Sequence, residues 1–181
     1  PTATPATHLN FDGVNDRVEL PNESLYDFTN AMTVEVWMNS NVMPEQWDPL
    51  ITKGDNSWRL HLNSTGTVDF TCTGTSGGGA VSTTSITDGN WHHVAGVYNG
   101  TSLKIYIDGV LENQVAATGS ISNSIFPVYI GNNSDYTVRF YTGNIDEVRI
   151  WNIGRSAEQI NGSKNCELQG TETGLVAYYK F

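Results

Sequence analysis

The pattern that organises this chain runs from Trp91 to Leu111, WHHVAGVYNGTSLKIYIDGVL. Period-two alternation sets Val94, Gly96 and Tyr98 on one face of an extended chain and Trp91, His93, Ala95 and Val97 on the other. Asn99-Gly100 interrupts with a turn. Leu103, Ile105 and Ile107 resume the alternation against Lys104 and Tyr106, and Asp108-Gly109 supplies a second turn from residues that tolerate positive φ. The pattern predicts a β-hairpin that feeds a third strand from Val110 to Ala116.

Shorter pieces of the same kind fill the rest of the chain. His8 to Asp12 and Arg17 to Leu20 read as strands around a turn at Gly13 to Asp16. Asn22 to Ala31, with Leu25, Tyr26 and Phe28, reads as a loop with a short helical turn covering an edge. Met32 to Asn39 alternates Val34, Val36 and Met38 against Glu35, Trp37 and Asn39, and periodicity does not choose between its faces. Val42 to Pro49 is a polar-aromatic loop; Leu50 to Lys53, Trp58 to Asn63 and Thr67 to Thr73 are strands. Thr75 to Ala80, TSGGGA, is expected to be a flexible tip. Val128 to Gly131 is a strand ahead of the polar loop Asn132 to Tyr136. Ser156 to Asn161 is the one helical turn, with Ser156 as N-cap and Glu158 and Gln159 in its first turn. Trp37, Trp91 and Trp151 are assigned to the core. Residues 1–7, PTATPAT, read as the end of an interdomain linker, and residues 8–181 as one domain.

A strand, a polar loop and a second strand ending in YIDG resemble the laminin-G-like jelly roll, the concanavalin A-like sandwich of lectins and glucanases. FDGVNDRVEL (Phe11 to Leu20) resembles its opening strand pair, and TVEVWMNS (Thr33 to Ser40) the strand centred on a Trp. GNIDEVRIWN (Gly143 to Asn152) and GLVAYYKF (Gly174 to Phe181) resemble its closing and final strands. The resemblance implies an all-β fold, an antiparallel two-sheet β-sandwich, and leaves the ligand open, since one fold hosts many functions.

Composition narrows the partners. At 181 residues the chain can bury one core. Only 15% of residues are charged, and no window has the spacing of a long amphipathic helix. A net charge of −10 with nine Lys and Arg argues against nucleic acid, whose phosphates need a basic surface. No apolar run approaches the roughly 20 residues of a membrane helix. The chain opens without Met and without a signal-peptide pattern, as a processed module of a secreted or cell-surface protein would. Cys72 and Cys166 have no metal or redox spacing, and their pairing is left open.

Three chemistries are weighed. Glycoside hydrolysis needs two carboxyls flanking the bond; Asp146 and Glu147 are neighbours and so expected on opposite faces, Glu35 stands alone, and His92-His93 also point apart. A hydrolase or lyase is therefore the least favoured reading. Calcium takes roughly six to eight oxygens; the turn with Asp12, Asn15 and Asp16 concentrates them, and the family resemblance implies that Asp146 joins that turn around a structural ion. The alternative is plain turn chemistry, with Asp146 pairing Arg149. Sugar recognition needs aromatic faces and planar polar groups on loops of a rigid scaffold. Trp47, Asp48, Asp55, Asn56, Trp58, Asn133, Asp135 and Tyr136 supply both, with Trp47 the leading candidate. The favoured reading is a non-catalytic glycan-binding module; the alternative is an adhesion module for a protein partner.

Overall fold

The central prediction holds in a computed structural model of the chain, which describes residues 7–136 and 138–181. β8 (Trp91–Tyr98), β9 (Ser102–Ile107) and β10 (Val110–Ala116) form an antiparallel meander. At its second turn Asp108 and Gly109 both take positive φ, 54° and 84°, the conformation a tight hairpin of matching twist requires.

The other strands are β1 (Leu9–Asp12), β2 (Val18–Glu19), β3 (Met32–Asn39), β4 (Asp48–Thr52), β5 (Trp58–Leu62), β6 (Val68–Cys72) and β7 (Gly79–Val81), then β11 (Tyr129–Ile130), β12 (Thr142–Trp151) and β13 (Leu175–Tyr179). One helix, α1 (Ala157–Ser163), lies between β12 and β13. Two antiparallel sheets result. The first runs β1-β12-β3-β8-β9-β10, with β13 also on β12; the second runs β2-β11-β4-β5-β6-β7. Their inner faces meet in one apolar core that includes Val34, Val36, Met38, Leu60, Phe70, Val94 and Ile105. At Gly96 an added Cβ would lie 2.4 Å from the Phe70 ring, so the missing side chain lets β8 seat that ring from the opposite sheet.

The ambiguity of β3 has a physical answer: both of its faces are covered. Val34, Val36 and Met38 face the sandwich core. Thr33, Glu35 and Trp37 face outward, yet they are buried, because α1 and the segment after it cross that side of the first sheet. Trp37 Nε1 donates to the Lys164 carbonyl at 2.9 Å. Ile160 of α1 packs on Ala95, Val97 and Tyr106. The helix starts as expected: Ser156 Oγ accepts from Gln159 N, and the Gln159 side chain accepts from Ser156 N, a capping box.

Beneath this helix Glu35 is fully buried, with Arg155 Nη1 at 2.5 Å and His93 Nε2 at 3.1 Å. Burial pushes its carboxyl up, but the hydrogen bond from His93, the charge of that His and Arg155 together outweigh burial and hold it below the usual carboxylate range. His92, on the opposite face as expected, lies against Asp108 and Asp88.

Several expectations are corrected. β1 and β2 do not pair with each other: β1 joins β12 in the first sheet and β2 joins β11 in the second, the turn between them crossing from sheet to sheet. The TSGGGA segment is not a free tip, because β7 begins at Gly79 and pairs with β6, burying Ala80. Trp91 is half-buried at the start of β8, edge-on to His8 at 5.4 Å, and outside the core. Asp146 and Glu147 do not simply alternate, since a bulge falls between Asp146 and Arg149 and Glu147 takes φ 51°. The Glu147 carboxylate accepts from Arg149 at 2.7 Å and takes the place of Asp146 in the alternative Asp146–Arg149 pairing. Cys72 is buried, Cys166 exposed, and both are free. Apart from Thr7, the proposed linker lies outside the described residues.

Candidate functional site

The strands β5 and β6 place the site. Trp58, Leu60 and Leu62 point into the core, so Arg59 and His61 emerge on the outer face of the second sheet. Asp69 and Thr71 stand opposite them on β6, in register with His61 and Arg59. Trp58 is fully buried and its Nε1 donates to the Tyr26 carbonyl at 3.1 Å, so it is core and not a ligand contact.

Trp47 packs over this face, its ring centroid 4.9 Å from that of His61. Its φ is 62°, a left-handed backbone that a bulky side chain rarely adopts and that costs about 1–2 kcal/mol. The ring is half-buried, less free than its loop position suggests. Under it His61 is 2% exposed and its Nε2 has no hydrogen-bond partner. Burial and the Arg59 charge push its imidazole down to about 3, with Asp55 opposing and Arg139 adding to the fall, so it is neutral at physiological pH. Burial raises the Asp69 carboxyl above its ordinary value, against a hydrogen bond from Thr71 and the Arg59 charge.

Five of the predicted polar and aromatic residues converge beside it. Asn56 Nδ2 donates to Asp135 Oδ2 at 2.7 Å, and the Asp135 amide donates to Asn133 Oδ1 at 2.9 Å. Asn133 Nδ2 donates to Asp55 Oδ1 at 2.7 Å, and Arg139 reaches Asp55 Oδ2 at 3.0 Å while lying 4.2 Å over the Tyr136 ring. Tyr136 is 47% exposed. Arg139 also lines a cleft of about 430 Å³ with Gln46, Asp48, Phe140 and Thr142, so it connects the loop cluster to the residues that flank Trp47. Asp48 belongs to β4 and not to the preceding loop. Burial, then the neighbouring Glu45 carboxylate, push its carboxyl up to about 6.

His61 and Arg139 were absent from the predicted ligand-binding set. The alternation WRLHL did carry a signal for His61, since it sets His61 opposite the apolar positions. Arg139 follows a polar loop and had no sequence signal at all.

The four expected calcium ligands do not meet. Asp12 pairs with Thr142 in the β1–β12 register, whereas Asp146 lies further along β12, beyond Ile145. Asp146 Oδ1 already accepts from the amides of Glu147 at 2.7 Å and Phe181 at 2.9 Å. The turn closes on itself: Asp12 Oδ1 accepts from Val14 N and Asp16 Oδ2 from Asp12 N, while Asn15 stays exposed. Among the described residues no three acidic, histidine or cysteine side chains gather around one point, so a calcium ion here would have to take amide and backbone carbonyl oxygens and water as well.

Two antiparallel sheets packed face to face in this strand order define a β-sandwich of the jelly-roll type. The chain belongs to the concanavalin A-like lectin/glucanases superfamily, whose laminin G family matches residues 12–161. No curated protein sequence matches it. Among solved structures it is similar to a carbohydrate-binding protein assignment from Bacteroides ovatus, with TM-score 0.73 and 19% identity over 96% of this chain and 50% of that one. It is similar to domains LG4-5 of the mouse laminin α1 chain, with TM-score 0.65 and 15% identity over 82% of this chain and 41% of that one. A third is the CBM40 of the Ruminococcus gnavus IT-sialidase bound to α2,3-sialyllactose, with TM-score 0.67 and 12% identity over 86% of this chain and 95% of that one. The chain spans half or less of the first two. No helix among the described residues is long and apolar enough to cross a membrane.

Proposed function

We propose that the chain is a non-catalytic glycan-binding module of a secreted or surface-displayed multidomain protein. The observation that carries this reading is Trp47, held in a costly backbone conformation over a buried, neutral His61, next to a preformed network of Asp55, Asn56, Asn133, Asp135 and Arg139. An aromatic face takes the apolar side of a sugar ring, and amides and carboxylates fixed by their own hydrogen bonds take its hydroxyls without an ordering cost. The carbohydrate-binding neighbours support the class and leave the sugar open.

The reading keeps a structural calcium ion only at the Asp12–Asp16 turn, where Asp12, Asn15 and Asp16 offer oxygens, and leaves Asp146 out of it. A glycan and polysaccharide array, run with calcium and with a chelator, tests both parts. Selective binding in both conditions is the expected result; loss with chelator would tie the ion to the face, and a silent array would remove the glycan reading. Adhesion to a protein is the second reading, favoured by one observation: Val42, Met43 and Val138 are exposed around the same cleft.

A further inference from the structure

The charge balance of this face says what kind of glycan it can take. Its carboxylates are Glu45 and Asp48 at the cleft, Asp55 and Asp135 in the loop cluster and Asp69 on β6. Its cations are Arg59 and Arg139, and each has its Nη1 engaged within the face. Arg139 is held by Asp55 at 3.0 Å and lies on Tyr136. Arg59 Nη1 donates to the Asp55 carbonyl at 2.8 Å and to Thr73 Oγ1 at 3.1 Å, with Asp69 near enough to feel its charge. A third arginine of the second sheet, Arg17, lies at its edge over Tyr129, whose cross-strand partner is the acidic Glu19. The buried His61 adds no positive charge at neutral pH.

Recognition of a carboxylate or sulfate is favoured where guanidinium charge is in excess of carboxylate. The face instead offers carboxylate oxygens and the amide groups of Asn56 and Asn133, partners suited to neutral hydroxyls. We propose that this site takes an uncharged glycan and rejects acidic ones, sialylated, uronic or sulfated; the proposal rests on the glycan-binding reading above. The sandwich is thus similar to a domain solved with α2,3-sialyllactose while its own face is built against that ligand's charge. Five carboxylates against two guanidiniums leave a balance of −3. A unit negative charge about 8 Å from such a balance, in a water-like dielectric, is disfavoured about tenfold.

The experiment is calorimetric titration with matched pairs: lactose against α2,3-sialyllactose, galacto-oligosaccharides against oligogalacturonates, and chitin oligosaccharides against hyaluronan oligosaccharides. Each pair is run at pH 8 in about 20 mM and about 500 mM NaCl, salt that shortens the screening length to a few ångströms at the upper end. The expected result is a neutral member that binds, an acidic partner about tenfold weaker or more at low salt, and a gap that narrows at high salt. An acidic member that binds as tightly as its neutral partner at low salt overturns the charge proposal and leaves the glycan reading standing. Silence from every member at both salts removes both.

Discussion

Replacing Trp47 separates the two roles its position implies, a ring that meets ligand and a backbone held under strain. In Trp47→Ala the ring is lost while φ stays near 62°, a conformation that still costs an L-residue with a Cβ about 1 kcal/mol more than glycine. Trp47→Gly loses the same ring and relieves that strain. Both variants should lose glycan affinity equally, by about 2 kcal/mol or roughly thirty-fold, the scale of a central aromatic anchor. The glycine variant should nevertheless melt about 2–4 °C above the alanine one, the equivalent of about 1 kcal/mol in a domain of this size. His61 supplies an internal reporter. Its imidazole, now 2% exposed and pushed down to about 3, should titrate well above that value once the ring is gone, which NMR of the ring protons reads directly. The sign for stability follows from linkage. The unfolded chain binds a proton at His61 near 6.5 and the folded chain does not, so the wild type loses stability as pH falls from 6.5 toward 3; both variants should lose less over that window. Unchanged sugar affinity in Trp47→Ala, or a His61 that still titrates near 3, would refute the reasoning.

Two further outcomes test the frame around the site. Glu35→Ala strands the Arg155 guanidinium in a buried position without its counter-charge and should cost about 3–5 kcal/mol in urea denaturation, while leaving glycan binding intact because the group sits on the other sheet; a loss below about 1 kcal/mol would contradict the buried pairing. Asp48→Asn removes a carboxyl raised to about 6, whose charging disfavours the fold as pH rises from 3.8 through 6, so the variant should melt higher than wild type at pH 8 and equally at pH 4 by scanning calorimetry.

The sequence by itself determined what local periodicity and turn chemistry determine. The β8–β10 meander, the Ser156 cap and the loop that carries Asn133, Asp135 and Tyr136 were all legible because each depends on residues within one or two turns of the chain, while the two-sheet class came from the resemblance of its strand motifs to a known family. Tertiary structure decided whatever depended on cover. Trp58 and Trp47 are both aromatic residues bordering β-strands, but one lies under the sandwich and the other over its outer face, a difference set by which sheet face each meets. Glu35 looked awkward on either face of β3 until α1 arrived from more than a hundred residues downstream with Arg155 at its start. Asp12 and Asp146 share a sheet, yet the register of β1 on β12 keeps them apart, and no local pattern encodes register between strands so distant in sequence. For the same reason Arg139 could not be foreseen beside Asp55: their pairing exists only because β11 and β4 lie side by side and bring two loops to the same end of the second sheet.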